Sequence, residues 1–237
     1  MYDRVTDVHR RFFMPAEPRT RPARQTRQRI LETTLALYND LGEPNVSTTL
    51  IATEVGISAG NLHYHFRKKD QLTGALLDQF VTEVEELLPP DNWRAGDVED
   101  AWFLLHLIFE AIWKYRFLFR DLSGIMSRDR RAGHRLTQVF ARAVDASRGI
   151  CLGLAESGLL EATPAEIEAL ARNVTVVTLY WLSFDTVRHP RRDHASEAIA
   201  NGVYQVLMLV APFMRVTGRA NLEYLASQYR SREPRPA

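Results

Sequence analysis

From Arg24 to Leu41, the residues Ile30, Leu31, Thr34, Leu37, Tyr38 and Leu41 fall on one helical stripe, and the same period recurs along almost the whole chain. Sustained period-2 alternation is missing, as are Asn-Gly and Asp-Gly hairpin turns. A chain patterned this way buries its apolar residues by packing helix on helix, so an all-α fold is expected. Its 237 residues, 46% of them hydrophobic, suffice for one or two domains with full-size cores.

Glycine, proline and capping residues divide the pattern. Gly42 and Pro44 stop the first helix. A second begins at Ser47 or Thr48, buries Leu50, Ile51 and Val55, and ends at Gly56. A third, capped by Ser58, runs through Phe66, and a fourth runs from about Lys69 to Leu88, where Pro89-Pro90 ends it. Residues 89–96 make the best domain boundary. Beyond it the spacing predicts a helix over 97–115, a short element over 116–126 and a long helix over 130–157 closed by Gly158. Thr163-Pro164-Ala165-Glu166 opens the next with a capping box and a proline at the first helical position, and Pro190 stops it after Arg188. Helices over 194–216 and 221–228 complete the chain.

Several function classes are disfavoured. No G-x-S-x-G elbow, P-loop, Rossmann glycine fingerprint or H-E-x-x-H occurs, so no catalytic residue, cofactor or metal is expected. A helical enzyme using His106 or His134 as acid–base groups lacks the paired carboxylates or nucleophile motif it would need. His63 and His65, two apart on a helix, point in different directions and cannot chelate one metal, and His189 and His194 flank a proline in an expected loop. The single Cys151 reads as a small core residue in a reducing compartment. Residues 1–24 carry arginines but no apolar stretch, and the charge-free run Ala198–Met214 contains Asn201, Gly202, Gln205 and Pro212. A cytoplasmic protein that does not cross a membrane is expected.

The net charge is +1, unevenly spread. Residues 1–69 hold 11 Lys/Arg against 7 Asp/Glu, a balance of +4, whereas residues 70–100 hold one against nine, a balance of −8. A polyanion would therefore be met at the N-terminal end. There, two short helices joined at Gly56-Ile57 have the form of a helix-turn-helix, whose second helix enters the DNA major groove. Ser58, Ala59 and Gly60 are small enough to let its N-terminus approach a duplex. Asn61 suits adenine and His63 suits guanine. Tyr64, His65 and the Arg67-Lys68-Lys69 cluster would meet phosphates. The competing reading packs Tyr64 and His65 into the domain's own core and leaves Arg67 and Lys68 solvated. Leu62 and Phe66 are core on spacing alone.

The stretch Ile51–Leu72 (IATEVGISAGNLHYHFRKKDQL), with Arg29–Leu35 upstream, resembles the DNA-binding domain of the TetR family of bacterial transcriptional regulators. The resemblance covers roughly residues 24–72; the rest agrees only in being helical. It implies a helix-turn-helix domain at 24–72 after a basic, flexible arm at 1–23, a connecting helix and linker at 73–96, and an effector-binding, dimerising helical bundle at 97–237. It also implies a double-stranded DNA operator as partner, a homodimer and a small, largely apolar effector. Thr48 and Thr49 stand where the family touches phosphate or base. Ala59, Gly60, Asn61 and His63 stand at base-reading positions, and Tyr64, His65 and Lys69 at backbone-contact positions. Many members have tyrosine where His63 stands and lysine where Ala59 stands, so an operator sequence does not transfer.

In the C-terminal part, Trp102, Phe103, His106, Phe109 and Trp113 share helical spacing, with Phe117, Phe119, Met126, Phe140, Tyr180, Trp181 and Phe184 following. Any of these can simply fill the core. The resemblance implies that some line an effector pocket, with His106, Arg116 and Tyr180 as polar candidates. The helices over 165–188 and 194–216 are the expected dimer pair, through Val174, Val177, Trp181, Val203, Val206, Leu209 and Val210, with Gly202 permitting close approach. The expected function is a ligand-released dimeric repressor. The alternative is an effector-independent activator or chromosome-organising factor, which predicts a closed C-terminal core.

Overall fold

In a computed structural model of the chain, which describes residues 22–90, 94, 96–120, 122–189 and 195–230, the all-α reading holds. Residues 1–21, with the basic stretch expected as an arm, lie outside the described residues, as do Pro190 and His194. Helix α1 (Pro22–Leu41) packs on α2 (Thr48–Val55), and α3 (Ala59–His65) and α4 (Lys69–Leu87) follow. After the proline linker come α5 (Val98–Lys114), α6 (Arg116–Arg120), α7 (Leu122–Arg128), α8 (Arg130–Glu156), α9 (Pro164–Arg188), α10 (Ala195–Val210) and α11 (Val216–Arg230). There is no strand among the described residues; Leu160 and Met214 form an isolated antiparallel bridge.

Caps set the boundaries. Asp97 accepts from the Asp100 amide (2.8 Å) to start α5, and Asp129 accepts from the Arg131 amide (2.8 Å) to start α8. Thr163 and Glu166 form the expected capping box, which holds the exposed Glu166 carboxyl below its usual range through bonds from Thr163. Three boundaries differ from expectation. The element over 116–126 is two helices, α6 and α7. The helix expected to reach 216 stops at Val210, because Pro212 has no N–H to continue the ladder and Ala211–Phe213 tighten into a 3-10 turn. Helix α11 begins at Val216 instead of 221, because burial of Leu222, Leu225, Ala226 and Tyr229 outweighs the low helix propensity of Gly218.

Two buried clusters share the interior. One runs from Ile30, Leu31 and Tyr38 of α1 through Phe80 of α4 to Phe117 and Leu118 of α6 and Leu136 of α8. The Tyr38 and Phe117 rings lie 5.1 Å apart, so the N-terminal three-helix unit has no core separate from the rest. The second gathers α5, α8, α9, α10 and α11 around Phe109, Leu154, Leu170 and Val203. Among the described residues, no helix is long and apolar enough to cross a membrane.

Candidate nucleic-acid interface and buried cavity

The turn between α2 and α3 is fixed by backbone chemistry. Ser47 Oγ accepts from the Leu50 amide and Ser58 Oγ from the Asn61 amide, both at 3.1 Å, so both short helices begin on a side-chain cap. Gly56 (φ 75°, ψ 38°) takes the left-handed conformation that ends α2, and the Ile57 amide donates back to the Ala52 carbonyl at 3.0 Å. Arg29 Nη2 donates to the Val55 carbonyl (3.0 Å), tying the end of α2 to α1. Ile51, Ala52, Val55, Leu62 and Phe66 are buried beneath this scaffold.

The remaining residues of α3 face out. Ser58, Ala59, Gly60, Asn61 and His63 are exposed, and Tyr64 is 80% exposed, which excludes it from the core. His65 is half-buried with its ring against the edge of Tyr64; Thr49 is exposed and Thr48 half-buried at the start of α2. A Cβ on Gly60 would meet only Ser58 Oγ, at 3.9 Å. The chain's own packing therefore does not require glycine there. Asn61 and His63 hold their amide and imidazole groups in the open, with Arg67 and Lys68 exposed beside them.

Lys69 is placed differently from its expected role at a phosphate. Its ammonium donates to the Glu43 carbonyl and lies 3.3 Å from Glu43 Oε1. Glu43 is only 5% exposed, and a buried carboxylate requires cationic partners. Arg128 of α7 supplies the second, 3.0 Å from Oε2. Asn39 makes a neighbouring junction. Its Nδ2 donates to the Lys114 carbonyl (2.9 Å), its Oδ1 accepts from the Phe117 amide (3.1 Å), and its own carbonyl accepts from Arg120 (2.6 Å). The end of α1 is thus locked to the corner between α5 and α6. Burial raises the Tyr38 phenol near this junction to about 12.

A cavity of about 110 Å³ lies inside the larger domain. Its walls are Phe80, Val84 and Leu88 at the end of α4; Trp102, Leu105, Ile108 and Ile112 of α5; Ser147, Ile150, Cys151 and Leu154 of α8; and Val174, Thr175 and Thr178 of α9. Val206 and Leu207 of α10 close it. Cys151 is buried, and its thiol is pushed up to about 11 by that burial, so it faces the cavity protonated.

Of the ten residues expected near an effector, Trp102 lines this cavity. The others sit elsewhere. Phe109 is fully buried beside Gly202; His106 lies between Tyr229 and Glu110; Arg116 stacks 4.8 Å over Trp113 and pairs with Asp40. Phe140 and Trp113 pack against the core, Phe103 is half-buried outside the cavity wall, and Trp181 donates to the Ala198 carbonyl. Tyr180 and Phe184 are exposed. Beyond Trp102, the cavity meets not the aromatic stripe of α5 but the adjacent aliphatic one, Leu104, Ile108 and Ile112, which the sequence displays at i, i+4, i+8. Of the residues expected at a dimer face, Val203 and Val206 are buried and Val174, Val177, Trp181, Leu209 and Val210 are half-buried; Val174 lines the cavity, and Gly202 admits Phe109 and Trp181 of its own chain.

An exposed polar recognition helix on a capped helix-turn-helix, continuous in its core with a larger helical domain, defines a DNA-binding transcriptional regulator. Known proteins agree. The family described as "Bacterial transcriptional repressor" matches residues 79–222, and the one described as "Bacterial regulatory proteins, tetR family" matches residues 30–76. The chain belongs to the TetR family. A TetR-family regulator from Marinobacter aquaeolei is similar over 86% of this chain and 98% of its own, with 32% identity and a TM-score of 0.77. The fold also matches Streptomyces coelicolor CprB in complex with its operator (TM-score 0.65, 19% identity, 89% of this chain and 99% of that one). A gamma-butyrolactone receptor matches likewise (TM-score 0.62, 16% identity, 89% and 99%). A helix-turn-helix-type regulator of Staphylococcus aureus is 36% identical over 69 residues, 27% of this chain, and the match spans 37% of that relative's length.

Proposed function

We propose that this chain is a dimeric, one-component repressor that binds a near-palindromic operator through α2 and α3 and is released by a small apolar effector in the cavity. The observation that carries the reading is α4. One unbroken helix starts at Lys69, beside the recognition helix, and ends with Phe80, Val84 and Leu88 in or beside the cavity wall. Filling the cavity and moving the DNA-binding unit are therefore mechanically linked. Asn61 and His63 read bases; Ser58, Ala59 and Gly60 allow close approach; Thr48, Thr49, Tyr64, His65, Arg67 and Lys68 meet the backbone.

The dimer face of this proposal is an exposed apolar stripe on α9, comprising Val176, Tyr180, Phe184 and Val187. Two-fold pairing there sets two recognition helices toward successive major grooves. An effector preferring the dimer with misplaced helices shifts the population, and a coupling of about 1–3 kcal/mol weakens operator binding roughly 5- to 150-fold. The cavity beside Trp102 favours this reading over the effector-independent alternative, and the operator-bound and butyrolactone-binding neighbours are compatible with it. Fluorescence anisotropy on the DNA flanking the chain's own gene, against random DNA at two salt concentrations, tests it. Selective, salt-dependent binding at two chains per duplex is the expected result; weak binding equal for both DNAs overturns it.

A further inference from the structure

The cavity is almost wholly aliphatic and aromatic, and its lining contains no Asp, Glu, Lys, Arg or His. A carboxylate or ammonium inside would be an unpaired buried charge, which is prohibitively costly. The few polar groups on the wall are nearly all engaged. Ser147 and Thr175 share a hydrogen bond (3.2 Å), Thr175 also donates to the Ala171 carbonyl (2.9 Å), and the Trp102 indole N–H is turned to the Tyr229 hydroxyl (2.6 Å).

Thr178 is the exception. It is 6% exposed, lines the cavity, and its Oγ1 has no hydrogen-bond partner. Threonines in helices ordinarily satisfy their hydroxyl on the carbonyl four residues back, as Thr175 and Thr186 of the same helix do. Thr178 forgoes that bond, leaving a buried donor without an acceptor, an arrangement native interiors avoid unless something else completes it. A resident water would need two to four polar partners, which this wall does not offer.

We propose that the cavity takes a neutral, largely apolar small molecule carrying one hydrogen-bond acceptor, such as a carbonyl, and that the Thr178 hydroxyl donates to it. This rests on the effector reading above for its regulatory meaning, but the binding itself is separable. A site with an unsatisfied polar group also discriminates: a pure hydrocarbon leaves the hydroxyl orphaned, and a carboxylate adds an unpaired charge.

Isothermal calorimetry of the full chain with methyl propyl ketone, pentane and pentanoate, five-carbon probes matched to a cavity of about 110 Å³, tests the assignment. The ketone is expected to bind most tightly. Thr178→Val, which keeps the shape and removes the hydroxyl, is expected to weaken the ketone by roughly 3- to 10-fold while leaving pentane unchanged or improved. Thr178→Ser restores the ketone preference, and unchanged thermal unfolding of both variants shows that the fold is intact. Equal binding of ketone and pentane, tightest binding of pentanoate, an unaltered ketone affinity in Thr178→Val, or binding of none of the three overturns the proposal. Ketone binding that depends on Thr178 yet leaves the DNA complex intact keeps the ligand assignment and removes the repressor reading. Release of DNA by the ketone in Thr178→Val as in wild type does the reverse.

Discussion

At the scale of single residues, the chain carries side chains whose surroundings leave little latitude. A Cβ on Gly202 would lie 2.5 Å from Phe109 and 2.6 Å from Trp181, both ring atoms in a packed interior. Gly202→Ala is therefore expected to cost about 1–3 kcal/mol by overpacking, read as a lower urea midpoint at unchanged slope. Cys151 makes a pH-dependent contribution. Its thiol is held up to about 11 when folded, so above its ordinary ionisation range the unfolded chain loses a proton that the native one keeps. That contribution is complete below about pH 8.5 and is lost as the pH rises toward 11; Cys151→Ala should flatten the decline by on the order of 2 kcal/mol. On the DNA side, Asn61→Ala and His63→Ala are each expected to cost about 1–3 kcal/mol on the operator and little on random DNA. Lys68→Ala is expected to weaken both and reduce the salt slope by about one. Equal losses on both DNAs for all three variants would refute the division of roles.

At the scale of elements, the legible parts were those set by local rules. Ser47, Gly56, Ser58 and the Thr163–Glu166 box mark their helix ends by short-range chemistry, so the motif from Thr48 to Lys69 could be laid on the correct helices. Pro212 was equally visible, but the apolar run on either side of it hid the break. What no local rule reveals is which face of an all-round apolar helix meets which neighbour. Helix α5 is apolar on nearly every side, and the cavity lies against Leu105 and Ile108 because α8 and α9 cross there. Glu43 and Asn39 carry no local signal of burial, and only the tertiary fold shows them buried at the seam. Asn39 gives that seam a test. Asn39→Ala removes both amide partners of the α5–α6 corner, leaving the Lys114 carbonyl and Phe117 amide unmatched. It should cost about 1–3 kcal/mol in stability and, separately, reduce the effect of a cavity ligand on DNA affinity. Ligand release of DNA at full strength in this variant would route the coupling through α4 alone.

At the scale of the whole molecule, one chain offers a single recognition helix of seven residues, Ala59–His65, too short a reading head for a selective site without a second copy. The apolar stripe Val176, Tyr180, Phe184 and Val187 recurs at helical spacing on one long helix, and all four residues are about half exposed or more. An uncovered stripe of this kind is disfavoured on a monomer and natural at an interface between copies. Phe184 is the most useful place to break it, because its ring lies at the stripe's centre and 5.6 Å from that of Trp181, whose indole holds the Ala198 carbonyl. Phe184→Glu places like charges across a two-fold axis, whereas Phe184→Leu keeps an apolar contact. Light scattering should find the first variant at the mass of one chain and the second at twice that mass. Operator affinity should fall by orders of magnitude in Phe184→Glu, while its weak, salt-sensitive binding to random DNA persists, since that needs only one basic surface. A Phe184→Glu protein that remains dimeric would move the interface away from α9, and the two-fold arrangement of recognition helices would have to be rebuilt on another face.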